Sequence, residues 1–219
     1  MRYSTEPHPA THTPRHQLGT RCHSDRTEAN ARLTSAAGML LLVLLAAQGL
    51  TILSIHRLIT AHIVLGLLLL GPLAVKLAST GYRFLRYYSR DPDYARAGPP
   101  QIVLRVLAPI VVVTTVAVFA SGIALLWGRP RRDRQMLLVH KLGFIIWFAV
   151  MTVHVLAYAL PAARRSLDDI VGRGSSAVLA SRKTRGLILA GCIVAGVALG
   201  LAGFRWAHPW AVGFAVSVS

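Results

Sequence analysis

The sequence predicts an all-α, polytopic membrane helix bundle, and three observations carry that reading. Of 219 residues, 54% are hydrophobic. The apolar residues collect in runs of about 18 or more, long enough to cross hydrocarbon at about 1.5 Å per helical residue. Charged residues, 15% of the chain, fall mainly between those runs. A soluble core has no need of apolar stretches this long.

Taken in order, residues 1–35 are rich in Pro, His, Thr, Ser and Arg and lack an apolar stripe. They are expected to be a disordered tail. The tail is too long and too mixed for a signal-peptide n-region, so the run behind it reads as an uncleaved span. That first span covers about 36–55 (AAGMLLLVLLAAQGLTILSI), and the second covers 58–80 (LITAHIVLGLLLLGPLAVKLAST). Gly71-Pro72 should kink the second span, as membrane helices tolerate where neighbours satisfy the freed carbonyl. The third and fourth spans cover 102–127 and 136–160. Residues 166–185 read as a basic loop, and 186–205 as a fifth span with a short tail to 219. The closing PWAVGFAVSVS is apolar but too short to cross. No internal repeat is visible. Gly38, Gly49, Gly66, Gly71, Gly122, Gly191 and Gly196 read as close-packing positions between membrane helices.

The net charge is +16, from 24 Lys and Arg against 8 Asp and Glu. Such an excess suggests nucleic acid, but no basic domain with its own core is present, so that class is excluded. The charges suit orientation instead. Most lie in the tail, in the loop after the second span and in the loop after the fourth. Positive-inside therefore predicts a multi-pass protein of the cell membrane with a cytoplasmic N-terminus. The RPRRDR cluster at 129–134 then faces outward, against the rule. The two cysteines, Cys22 and Cys192, form no CxxC or CxxCH motif. Neither iron–sulfur ligation nor covalent haem attachment is indicated.

Ionisable groups inside spans are costly and mark function by default. His62, Lys76, His140 and His154 are the candidates, with His56 at the end of the first span. His140 and His154 are fourteen residues apart, as are His62 and Lys76. Fourteen helical residues rise about 21 Å and return to within roughly 40° of one face. Spans two and four run in the same direction, so His62 should face His140 at one depth and Lys76 should face His154 at another. Two imidazoles across a bundle can take both axial positions of a haem iron. They can equally be interfacial side chains bonded to water or to a carbonyl. Lys76 can snorkel, or meet a propionate or a quinone oxygen. His56, beside Arg57, can be an alternative ligand or an interfacial side chain.

On these residues the chain resembles the bacterial membrane-embedded b-type cytochromes, the five-sixty-one and hydrogenase/formate-dehydrogenase cytochrome b subunit class. The matching features are HIVLG at 62–66 and the two histidines of span four. The segment STGYRFLRYYSRDPDYARAGPP at 79–100, with LRVLAP after it, also looks like a group of actinobacterial membrane proteins related to that class. The resemblance covers roughly residues 50–165. It implies a four-helix haem-binding core over 36–165 plus a peripheral fifth helix. It also implies haem b on His62 and His140, and His154 as one inner ligand of a second haem. Lys76 stands where a two-haem member often has histidine, which leaves that second haem open.

The function so implied is electron transfer through bis-His haem, in an electron-transfer subunit rather than a self-contained enzyme. Membrane lipid, a quinone and a redox partner subunit are the expected partners. A haem-free membrane anchor or scaffold is the first alternative. A small transporter with His62, Lys76 and His154 as an intramembrane relay is the second. Arg129, Arg131 and Lys141 are candidate propionate contacts. The aromatic and arginine residues of 82–100 suit either a docking surface or an interfacial belt on anionic lipid. The tail histidines His8, His12, His16 and His23 are separated by Pro9 and Pro14 and read as flexible chain. No Walker lysine, nucleotide-binding glycine loop or catalytic triad is present.

Overall fold

The computed structural model describes residues 15–91, 94, 102–128 and 133–216. Among them there is no strand. The helices are α1 (Arg15–Ile52), α2 (Ile55–Tyr88), α3 (Ile102–Leu126), α4 (Arg134–Val171), α5 (Ser176–Ala180) and α6 (Arg182–Val216). Five stretches are long and apolar enough to cross a membrane: Asp25–Ile52, Ile55–Tyr88, Arg105–Leu126, Arg134–Val171 and Ser176–Val212. The expected five spans are all present, and the helices overrun most of them. Apolar content marks where lipid begins, whereas backbone hydrogen bonding continues until a breaker appears.

Two expectations fail for that reason. The tail read as disordered through residue 35 is helical from Arg15. The loop read over 166–185 is helix as far as Val171, a short turn, then α5 and the start of α6. Gly172 ends α4 in the left-handed region (φ 79°), which a glycine enters without a Cβ penalty. Ser175 then caps α5, its Oγ accepting from the Val178 amide.

The helices form a ring in the order α1, α2, α6, α3, α4 and back to α1. α2 and α4 stand opposite one another and scarcely touch. Two ends can be named by their residues. At the Trp210 end, Ile59, Leu125 and Trp210 are buried together, with Ile55, Ile63, Leu137 and Ala211 packed on them. Trp210 Nε1 donates to the Leu125 carbonyl (2.9 Å), and Trp127 lies 6.4 Å from Trp206, so α3 and α6 are joined there. At the Arg32 end the closure is polar. Asp169 accepts from both Arg32 and Arg185, and Arg185 also donates to the Val178 carbonyl and to Ser181. Asp25 accepts from Ser175 (2.6 Å). These bonds hold residues 25–35 in place without an apolar stripe.

The fifth span is not peripheral. α6 makes its most extensive contact with α2. The seam runs on glycine: a Cβ at Gly196 would overlap the Leu68 carbonyl, and one at Gly71 would overlap the Cys192 carbonyl. Leu68 is the residue whose carbonyl Pro72 leaves without an amide partner four residues on. Gly196 lets α6 approach that freed oxygen, and its Cα–H can contact it. The dihedrals of α2 stay helical through Pro72, which is fully buried, and the break lies at Leu58 (φ −108°, ψ 15°). Gly49 and Gly191, by contrast, face open space and are not packing positions.

Candidate functional site: two polar tiers across the ring

The upper tier lies at the Trp210 end. His62 enters from α2 and His140 from α4, both half-buried and close enough for the charge of one to act on the other. Each ring is fixed by the preceding helix of its own hairpin. Thr51 Oγ1 on α1 lies 2.8 Å from His62 Nδ1, and Ser121 Oγ on α3 lies 2.9 Å from His140 Nδ1. Both hydroxyls already donate their hydrogen to a carbonyl, Thr51 to Gln48 (2.6 Å) and Ser121 to Val118 (3.0 Å). A hydroxyl has one hydrogen, so towards the imidazoles each acts as an acceptor. At His140 this makes Ser121 an acceptor for Nδ1–H, whereas at His62 the Gln48 amide nitrogen, 3.1 Å from the same Nδ1, competes with Thr51 as a donor.

Gln48 adds to this arrangement. Its Nε2 donates to the His62 carbonyl (3.0 Å) and lies 3.1 Å from His62 Nδ1, while its Oε1 is buried without a partner. On the other side, a Cβ at Gly122 would come 3.2 Å from His140 Cε1 and 3.7 Å from Nδ1. Glycine there makes room for the ring edge against α3.

The lower tier lies about 21 Å further along α2 and α4 by helical rise. Lys76 and His154 are both half-buried and within electrostatic reach of each other. Lys76 does not reach the surface: its Nζ donates to the Thr34 carbonyl on α1 (2.9 Å) and lies over Gly38. Around it, Asn30 donates to the Ser79 carbonyl (3.2 Å), and Thr34 Oγ1 lies 2.9 Å from Ser79 Oγ. His154 stacks against Tyr158 (4.9 Å between rings), and its Nδ1 is buried with no hydrogen-bond partner. Arg83 acts electrostatically on Lys76 and on Tyr158.

His62 and His140 are thus within electrostatic reach of each other, as are Lys76 and His154. His56 stays apart, exposed near the start of α2, and Lys141 is also exposed. Arg129 and Arg131 lie outside the described residues, as do His8 and His12. Sequence reasoning missed Thr51, Ser121 and Gln48. Their signal was a polar side chain within a turn or so of a span end, in the helix preceding each histidine. Among the described residues no group of three or more His, Cys, Asp or Glu is placed to hold a bare metal ion.

A haem between two histidines needs only two such ligands, and the upper tier offers two imidazoles from facing helices. A histidine that binds a metal through one nitrogen usually donates its other N–H to an acceptor, which fixes tautomer and orientation. His140 meets that condition through Ser121, and His62 has the Thr51 hydroxyl on its Nδ1 beside the Gln48 amide nitrogen. His154 does not, since its Nδ1 has nothing to donate to or accept from. No protein family, curated protein or solved structure matches this chain.

Proposed function

We propose that the chain is a cell-membrane b-type cytochrome subunit that carries electrons through one haem held between His62 and His140. The observation that supports the reading is the matched pair of hydroxyls on Nδ1 of two histidines on facing helices, which makes Nε2 the nitrogen each ring would offer to iron. Haem held by two imidazoles supplies one-electron chemistry, with no coordination position left for oxygen. The protein's own residues hold and orient. Thr51 and Ser121 fix the rings and raise ligand basicity, Gly122 admits the His140 ring, and the Trp210 cluster excludes water from that end. The lower tier lacks the anchors, so a single haem is the reading, and a redox partner meets it from the Trp210 side. With the N-terminus cytoplasmic by the positive-inside rule, that side faces outward.

The test is a dithionite-reduced minus oxidised spectrum of the purified protein, with haem counted per chain. One haem is expected, lost in His62→Ala and in His140→Ala and kept in His154→Ala. A folded, haem-free preparation from a haem-replete host would overturn the proposal.

A further inference from the structure

Lys76 is an ammonium group inside a membrane bundle, and among the described residues no carboxylate pairs with it. Its Nζ has three hydrogens and spends one on the Thr34 carbonyl. The charges that act on it, those of Arg83 and His154, are not negative. The acids that could have served it are engaged elsewhere. Asp25 accepts from Ser175, Glu28 pairs with Arg32, and Asp91 pairs with Arg86 (3.1 Å). Asp168 pairs with Arg173, and Asp169 with Arg32 and Arg185. Asp133 lies at the other end of the ring. Of the chain's 8 acidic residues only Glu6 and Asp93 fall outside the described residues. Beside Lys76, the His154 Nδ1 is buried and unpartnered. A buried charge is normally paired, and a buried polar nitrogen normally bonded. Both deficits lie at one level of the bundle on facing helices within electrostatic reach of each other, and one group that brings negative charge and acceptor oxygens would satisfy both.

We propose that Lys76 and His154 bind an anionic oxyacid group, a carboxylate or phosphate, separate from the haem at the upper tier. Lys76 supplies charge and two free N–H donors. His154 supplies a third donor with its proton on Nδ1. Arg83, about 10 Å further along α2 by helical rise, draws the anion in from the Arg32 end. The two sources of such a group are an acyl-chain amphiphile from the bilayer and a free anion from water. Haem propionates do not reach this tier, because it lies about 21 Å from the His62 level.

The experiment uses the full chain in phosphatidylcholine nanodiscs, with radiolabelled oleate as probe and inorganic phosphate as competitor. Saturable binding of one oleate per chain is expected, at least tenfold weaker in Lys76→Met and in His154→Phe and retained in Lys76→Arg. Oleate binding that phosphate does not displace identifies the amphiphile as source; displacement by millimolar phosphate identifies the free anion. Should Lys76→Met not assemble, the ¹⁵N signal of His154 Nδ1 in the unaltered protein decides: oleate or phosphate moves it if the site is right. Neither anion binding, affinity unchanged in both variants, or an unmoved His154 signal would overturn the assignment. Haem content is unaffected in each case, which separates this result from the fate of the haem proposal.

Discussion

Replacing Asp169 with asparagine keeps the side chain's shape and removes the one carboxylate shared by Arg32 and Arg185. Both arginines are nearly inaccessible, at 7% and 6% side-chain exposure. Removing one partner of a buried pair costs about 3–5 kcal/mol, because a charge is left uncompensated. Three features lower that figure. Asp169 itself is 16% exposed, Arg32 keeps Glu28, and Arg185 keeps the Val178 carbonyl and Ser181. The Arg32–Glu28 pair, an i,i+4 pair with a 41% exposed carboxylate, is worth only about 0.3–0.5 kcal/mol. A loss of about 2–4 kcal/mol remains. Asp168→Asn is the internal control. Its partner Arg173 is 76% exposed and 3.7 Å away, so the change should stay below about 0.5 kcal/mol. The assay is unfolding by SDS titration in mixed micelles, followed by tryptophan fluorescence and circular dichroism. Equal midpoints for the two variants would refute the reasoning. So would an Asp169→Asn effect that disappears at about 1 M salt, since only an exposed pair is screened so fully.

Three further outcomes are expected. Gly122→Val should abolish haem retention by pushing on the His140 ring, whereas Gly143→Ala, whose added methyl would meet Val118 Cγ2 at an ordinary 3.8 Å, should retain it. Thr51→Val and Ser121→Ala should each weaken haem binding by about 10–100-fold without abolishing the spectrum, read by haem transfer to apomyoglobin. Gly196→Leu should destabilise the bundle by about 3 kcal/mol or more in the SDS titration, since the overlap is with backbone that cannot rotate away. Gly191→Leu, facing open space, should leave the midpoint within about 0.5 kcal/mol.

The number of spans was legible because lipid demands a long apolar run, and the sequence has five. The four ionisable groups were legible for a related reason: an imidazole or ammonium group stands out in an apolar helix, and spacing gives the depth expected of it. What remained hidden depends on partners. Residues 25–35 look like a solvated tail because what holds them is polar, Asn30 and Thr34 on Ser79 and Arg32 on Asp169. Periodicity of apolar residues cannot report such a face. Arg32 and Arg185 count as orienting surface charges in the sequence, yet in the structure they are buried and close one end of the ring. The position of α6 was hidden for another reason. Gly196, Gly200 and Gly203 announce a close approach, but nothing in them says that α2 is the neighbour.

The two hairpins share a plan that their sequences do not repeat. In α1–α2 a hydroxyl near the end of the first helix holds a histidine near the start of the second, and α3–α4 does the same. Each imidazole is therefore oriented inside its own hairpin, by contacts that need no other part of the protein. Bringing the two rings together is a separate task, and it falls to α1 packed against α4 on one side and to α6, seated on α2 and touching α3, on the other. That division separates two kinds of failure. A change at Thr51 or Ser121 should loosen one ring and leave the bundle intact, whereas a change at Gly196 or Asp169 should disturb the distance between rings whose own anchors are unharmed. Haem bound across α2 and α4, which scarcely touch, would then stabilise the assembly where the polypeptide holds it least.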